Sequence, residues 1–162
     1  MKRTLASAVA AAAIGLGGSF DLAAQSQPGP AREDSLADHG RYLVKIAGCN
    51  DCHTPGYMAN AGKVDEKIWL TGDRLGWSGP WGTTYAVNLR LYMKSLTEAQ
   101  WLNTARNMKA RPPMPWFALE AMSDRDLRAI YEYVKTLGPA GEPAPAYLPP
   151  GEAPKGPFVR FR

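Results

Sequence analysis

Two cysteines and a histidine lie together in the segment GCNDCHTPG, residues 48–56. Cys49 and Cys52 are the only cysteines of the chain, and His53 directly follows the second one. Zinc needs four tetrahedral ligands, but His39 is the only other histidine, and adjacent Cys52 and His53 are poorly placed to reach one ion. A thioredoxin-like dithiol needs a βαβ pattern, which the sequence lacks. A short-range disulfide beside a core histidine would not explain why His53 directly follows Cys52.

The same three residues fit a motif for covalent haem attachment, C-x-x-C-H. In this motif the two thiols form thioethers with the haem, and the imidazole of the next residue binds the iron. The segment therefore resembles the attachment motif of c-type cytochromes. The resemblance implies a covalently bound haem c, with Cys49 and Cys52 as attachment residues and His53 as the proximal iron ligand. The chain has one such motif and no internal repeat, which favours one haem.

Residues 1–24 have the layout of a secretory signal peptide. Lys2 and Arg3 precede an Ala/Gly/Leu-rich run over residues 5–18, and small residues follow at 23–24. The run of about 14 residues is shorter than the roughly 20 that a membrane-spanning helix needs. We therefore expect cleavage, with membrane contact only if the segment stays uncleaved. Because bacteria attach haem to this motif outside the cytoplasm, the resemblance also implies a periplasmic protein.

Composition and charge limit the other function classes. The formal net charge of +4 at pH 7 is too small to indicate nucleic-acid binding, which needs a dense basic stripe. Residues 25–33 are polar and are expected to form a flexible arm. A compact domain is expected over residues 34–138. Residues 139–162 include Pro139, Pro149 and Pro150 among many prolines, and we expect an extended, proline-rich C-terminal tail.

Hydrophobic periodicity and capping residues predict an all-α domain. The predicted helices span residues 36–47, 97–108 and 123–137. The Gly- and Trp-rich segment 56–95 has no sustained period and is expected to be a long ordered loop rather than a sheet. The resemblance implies a small cytochrome c fold, with about three to five helices around the haem. It also implies that the first and last helices cross, and Gly40 and Tyr131 are the candidates for that crossing.

A second iron ligand is needed on the side of the haem opposite His53. Met114 lies in the segment RPPMPW, residues 111–116, where prolines predict a stiff extended loop that can hold a sulfur at a defined point. The other methionines are expected to fill core space, Met93 remains an alternative, and His39 is expected to be exposed. The full set of candidates is Met58, Met93, Met108, Met114, Met122 and His39.

Two further stretches strengthen the resemblance, which covers residues 36–138. Met114–Pro115 followed by residues 122–134 resembles the methionine loop and last helix of single-haem cytochrome domains. The stretch GTTYAVNL, residues 82–89, resembles a segment of cytochrome subunits that serve periplasmic alcohol, aldehyde and sugar-acid dehydrogenases. The resemblance implies redox protein partners, and a periplasmic dehydrogenase catalytic subunit is one candidate.

The ligand set decides the expected function. Iron with a His53/Met114 pair has no open position, so we expect one-electron transfer without catalysis, as a free carrier or as a dehydrogenase subunit. The alternative is a haem enzyme or gas sensor with a labile or open sixth position. Four residues are candidate hydrogen-bond donors to the haem propionates: Trp77, Trp81, Tyr85 and Arg90. Simple packing within the loop would explain each of these residues equally well. The basic residues that form either a ring around the haem edge or a solvated face are Lys45, Arg106, Lys109 and Arg111.

Overall fold

The computed structural model describes residues 35–162, so the predicted signal peptide (1–24) and arm (25–33) lie outside the described residues. The described part is mainly helical, which confirms the predicted fold class. Its helices are α1 (Leu36–Ile46), α2 (Cys49–His53), α3 (Leu89–Lys94), α4 (Glu98–Asn107), α5 (Trp116–Ala121) and α6 (Asp124–Leu137), with a 3-10 turn at Glu66–Ile68. Its strands are β1 (Gly76–Gly79), β2 (Gly82–Tyr85) and β3 (Phe158–Arg160). Over the same range, no helix combines the length and apolar character needed to cross a bilayer.

The three helices predicted from the sequence are confirmed, and side-chain caps fix where they begin. Ser35 and Thr97 both form capping boxes, with Asp38 and Gln100 respectively, at the starts of α1 and α4. Ser123 accepts a hydrogen bond from the backbone N–H of Asp126 at the start of α6. Each cap satisfies a backbone donor that the first helical turn leaves free. The remaining helices, α2, α3 and α5, have five or six residues, which is too short for a hydrophobic period to reveal them.

Helices α1 and α6 cross at Gly40, as the sequence predicted. A Cβ atom on Gly40 would lie 1.9 Å from the backbone oxygen of Ala129 and 2.8 Å from Cβ of Tyr133. The prediction that Tyr131 forms the crossing is wrong, because Tyr131 instead donates its hydroxyl to the backbone oxygen of Leu96 at 2.9 Å. Residues 129 and 133 are four apart and share one helix face, whereas residue 131 points elsewhere.

The Gly- and Trp-rich segment contains part of a small sheet, so the expectation of a loop without a sheet is wrong. Strands β1 and β2 form an antiparallel hairpin with Gly79 opposite Gly82. Strand β3 then pairs with β1 in parallel, which gives the order β2-β1-β3. Both hairpin strands are largely buried, so they lack the alternation of apolar and polar residues that marks a half-buried strand.

The C-terminal tail, residues 139–162, packs against the β1–β2 hairpin. Leu148 exchanges two backbone hydrogen bonds with Thr83, at 2.8 and 3.0 Å. Further along, the N–H of Phe161 donates to the carbonyl of Ser78 at 2.7 Å. The described residues 35–162 accordingly belong to one compact unit, which includes the tail that was predicted to lie outside the domain. The tail therefore belongs to the structure that surrounds the candidate site.

Candidate functional site

A cavity of about 700 Å³ opens beside the Cys49–His53 segment. Cys49, Cys52, His53 and Met114 all line its wall. Most of the other lining side chains are aliphatic, aromatic or methionine. The volume lies within the range of about 300–1,000 Å³ that is common for small-molecule and cofactor sites. The cavity thus brings together the cysteines, the histidine and the methionine that the sequence singled out.

His53 is buried, with 7% of its surface exposed, and is the last residue of α2. Its Nδ1 lies 2.7 Å from the backbone oxygen of Val87. A carbonyl oxygen only accepts hydrogen bonds, so Nδ1 carries the proton and Nε2 of the neutral ring keeps its lone pair. Burial lowers the pKa of His53, while the hydrogen bond to Val87 acts in the opposite direction. His53 is therefore a neutral imidazole with a free Nε2, which is the form that binds a metal.

The two cysteines lie on the first turn and the last turn of α2 and are partly buried. Desolvation raises the pKa of Cys49 to about 11 and also raises the pKa of Cys52. Neutral thiols in an apolar wall are unlike the electropositive, low-pKa cysteines of redox-active dithiols. In the part of the chain that the structure describes, no group of three or more His, Cys, Asp or Glu residues could hold a metal ion.

A buried set of hydrogen bonds fixes the backbone on both sides of His53. Thr54 donates its hydroxyl to the side-chain oxygen of Asn50 at 2.7 Å, and accepts from the N–H of Leu70 at 2.8 Å. The carbonyl of His53 accepts from the N–H of Gly72 at 2.8 Å. Asn50 and Thr54 are fully buried, so these bonds do not compete with water. They hold the histidine at a defined position in the cavity wall.

Four of the methionines line the cavity: Met93, Met108, Met114 and Met122. Met58 does not line it and is 53% exposed. His39 does not line it either, because its Nε2 lies 2.7 Å from a carboxylate oxygen of Asp126 on α6. His39 is only partly exposed, at 31% of its side chain, and is therefore less exposed than predicted. The structure thus removes Met58 and His39 from the candidate ligands and leaves four sulfurs.

The loop that carries Met114 is restrained by the β2 strand. The hydroxyl of Thr84 donates to the carbonyl of Pro112 at 2.7 Å. Within the loop, the N–H of Trp116 donates to the carbonyl of Met114 at 2.9 Å. Thr84, which is distant in sequence, therefore restrains the loop that carries Met114 beside the cavity.

Trp77 and Tyr85, two of the candidate propionate donors, line the cavity. Trp77 is 9% exposed, and its indole nitrogen is buried without a hydrogen-bond partner. A buried N–H without an acceptor costs about 1–3 kcal/mol. A carboxylate of a haem bound in this cavity would give that N–H an acceptor.

Trp81 and Arg90 do not line the cavity, which corrects the expectation that they serve the propionates. The indole of Trp81 donates to the carbonyl of Trp77. The guanidinium of Arg90 donates to the carbonyls of Lys67, Leu137 and Gly138. Arg90 is therefore occupied in capping the C-terminal end of α6, where a cation also interacts favourably with the helix dipole.

Two of the four basic residues near the site form ion pairs with carboxylates. Arg106 pairs with Asp124 at 2.7 Å, and Lys109 pairs with Glu120 at 2.9 Å. The guanidinium of Arg111 lies over an aromatic ring of the tail. These contacts favour a solvated face over a ring of free positive charge.

Sequence reasoning missed two contributions to the site. The first is the Val87 carbonyl, which no side-chain motif could reveal because every residue carries a carbonyl. The second is the tail, which adds Pro145 and Tyr147 to the cavity wall. An aromatic residue within a proline-rich tail was the available signal for Tyr147.

The residues of the cavity fit a covalent haem: two thiols on one short helix, a free imidazole nitrogen, apolar walls and an unpartnered buried donor. The family model described as Cytochrome c matches residues 37–138, more than half of the chain. Comparisons with curated proteins and with solved structures find no match. In this family haem c is bound covalently through cysteines, here Cys49 and Cys52. The chain belongs to the cytochrome c family.

Proposed function

We propose that this chain is an exported, periplasmic one-electron carrier whose single haem c is held by His53 and Met114 as axial ligands. Haem-based electron transfer is the general role of the family, and the haem supplies the ferric/ferrous couple when bound. The observation that carries the proposal is the hydrogen bond from Nδ1 of His53 to Val87. It fixes the tautomer and increases the basicity of the ligating nitrogen.

Met114 is the best-supported sixth ligand of the four sulfurs around the cavity. Its loop is tied to β2 through Thr84 and Pro112, so the backbone that carries the sulfur is restrained beside the cavity. Met93 is completely buried and belongs to the hydrophobic core, which explains its presence without a ligand role. Met108, Met122 and Met114 are all packed against the same core, so core packing does not distinguish them, and the restrained loop is what favours Met114. A methionine ligand favours the ferrous state and raises the reduction potential.

The remaining cavity residues tune the site. The apolar wall lowers the local dielectric and limits the access of water, and both effects favour the reduced, less charged iron centre. Trp77 is the proposed donor to a propionate, because its indole nitrogen is buried and unpartnered. Tyr85 lies in the same wall and is a second candidate donor.

The signal-peptide layout predicted for residues 1–24 supports the periplasmic location, and the resemblance of residues 82–89 to dehydrogenase cytochrome subunits supports a dehydrogenase as electron donor. The carrier is then either free in the periplasm or held as a cytochrome subunit. Gel filtration of native extract separates these two states, since a subunit elutes with a larger catalytic partner.

The decisive experiment compares three substitutions that remove a sulfur but nearly keep the volume: Met114→Leu, Met93→Leu and Met108→Leu. We expect Met114→Leu alone to abolish the far-red band that methionine sulfur gives on ferric haem, and to lower the reduction potential. It should also let carbon monoxide bind the reduced protein at neutral pH. The Met93 and Met108 variants are matched controls and should keep the band.

Two results would contradict the assignment. If Met93→Leu abolishes the band and Met114→Leu keeps it, the sixth ligand is Met93. If the unmodified reduced protein binds carbon monoxide readily, the sixth position is open, and the chain is a haem enzyme or a gas sensor instead of a carrier.

A further inference from the structure

The tail beyond the family-matched segment forms part of the cavity wall. The match ends at residue 138, yet Pro145 and Tyr147 line the cavity together with His53 and Met114. The family match alone therefore does not account for one side of this site. Residues 139–162 are called the strap below.

Backbone pairing and aromatic contacts hold the strap on the β1–β2 hairpin. Leu148 pairs with Thr83 of β2, and β3 pairs with β1 over three residue pairs. The ring of Phe161 lies 6.0 Å from the ring of Trp77 and 5.4 Å from the ring of Trp81. Gly82 allows this approach, because a Cβ there would lie 2.3 Å from the carbonyl oxygen of Leu148. The strap is thus fixed at two separate points.

Tyr147 connects the strap to the loop that carries Met114. Its hydroxyl donates to the carbonyl of Trp81 at 2.7 Å, which orients the ring against the hairpin. The guanidinium carbon of Arg111 lies 3.9 Å from the centre of that ring, a favourable cation–π distance. Arg111 is three residues before Met114. Its carbonyl accepts a hydrogen bond from the N–H of Met114 at 3.3 Å.

We infer that Tyr147 is a positioning residue that keeps the Met114 loop closed over the cavity by holding Arg111. The inference rests on the proposed ligation by Met114. A small external ligand can occupy the sixth position only when this loop opens, so its apparent affinity is proportional to the open fraction. A contact that exists only in the closed loop therefore makes external ligands bind more weakly.

The test measures imidazole binding to the ferric, haem-loaded protein and to four variants. Tyr147→Ala removes the ring, Tyr147→Phe keeps the ring but removes the hydroxyl, and Arg111→Ala removes the cation. We expect Tyr147→Ala and Arg111→Ala each to increase imidazole affinity about two- to tenfold, the range that corresponds to an exposed or partly buried cation–π contact. Tyr147→Phe should lie closer to the unmodified protein. The double variant should gain little beyond the larger single effect, because both residues act through one contact.

Glu66→Gln serves as a control for general destabilisation, because Glu66 does not line the cavity. It should lower the unfolding temperature and leave imidazole affinity unchanged. Arg111 is exposed, so Arg111→Ala tests the contact even if Tyr147→Ala does not fold.

The outcomes separate this inference from the proposed function. If the unmodified protein shows the far-red band, but Arg111→Ala and every folded Tyr147 variant bind imidazole with unchanged affinity, the positioning role is refuted and the ligation stands. Effects of Arg111 and Tyr147 that simply add would also refute it, since the two side chains would then act separately. If the unmodified protein lacks the band, both the Met114 ligation and the inference fail.

Discussion

The contact between α1 and α6 at Gly40 allows a quantitative test of the fold that holds the haem motif. We consider Gly40→Ala, which adds a single methyl group. That carbon would lie 1.9 Å from the oxygen and 2.5 Å from the carbon of the Ala129 carbonyl. Ordinary van der Waals contact begins at 3.4 Å. Because the neighbour is helix backbone, a side-chain rotation cannot relieve the clash, and the two helices must separate.

Two opposing effects set the size of the change. Alanine is favoured over glycine inside a helix by about 1 kcal/mol. Overpacking of a close-packed core costs about 1–3 kcal/mol and sometimes more, and this clash with the backbone belongs at the upper end. Separation of the helices would also loosen contacts of fully buried Val44 and Leu127. We therefore expect a net loss of about 2 kcal/mol, which lowers the unfolding temperature by roughly 6–10 °C for a domain of this size.

The assay is thermal unfolding of the haem-loaded protein, followed by circular dichroism. Gly156→Ala is the matched control, because a Cβ at Gly156 has no neighbour within 4 Å; its unfolding temperature should stay unchanged. If Gly40→Ala unfolds at the same or a higher temperature than the original protein, the helices do not approach as closely as the structure indicates, and the reasoning is refuted.

Two further predictions concern the cavity wall and the pH dependence of stability, and they join those made above for Met114 and Tyr147. Trp77→Phe removes the unpartnered indole donor and should lower the reduction potential by tens of millivolts, because a propionate charge left without its donor favours ferric iron. Trp69→Phe is the control, since Trp69 is buried but outside the cavity wall, and equal shifts in the two variants would contradict a propionate role. Arg41 makes hydrogen bonds to the Glu66 carboxylate that hold the pKa of Glu66 below its usual value. The charged form is therefore favoured in the folded state, so this stabilisation is complete at neutral pH and disappears as the pH falls below about 4. Unfolding temperatures of Glu66→Gln and the original protein should accordingly differ at pH 7 and converge in acid, and a constant difference would show that the ion pair is not the cause.

Local chemistry made much of the site readable from the sequence. The spacing of Cys49, Cys52 and His53 is what covalent haem attachment requires, so the motif can be recognised without knowing the fold. Capping residues such as Ser35 and Ser123 mark helix starts because they satisfy backbone donors within three residues. The prolines around Met114 restrict the backbone by covalent geometry alone. These features depend only on residues that are close together in the sequence, so they can be predicted without the tertiary structure.

The features that only the tertiary structure decided depend on residues far apart in the chain. Val87 became the partner of His53 through its carbonyl, which has no side-chain signature. Strand β1 is stabilised by β3, about eighty residues later, and four-residue buried strands carry no alternating pattern of their own. Arg90 does not line the cavity, because its guanidinium donates hydrogen bonds to the carbonyls at the end of α6. In each case a backbone group or a distant pairing fixed the role, and the free energy that selects it exists only once the chain has folded.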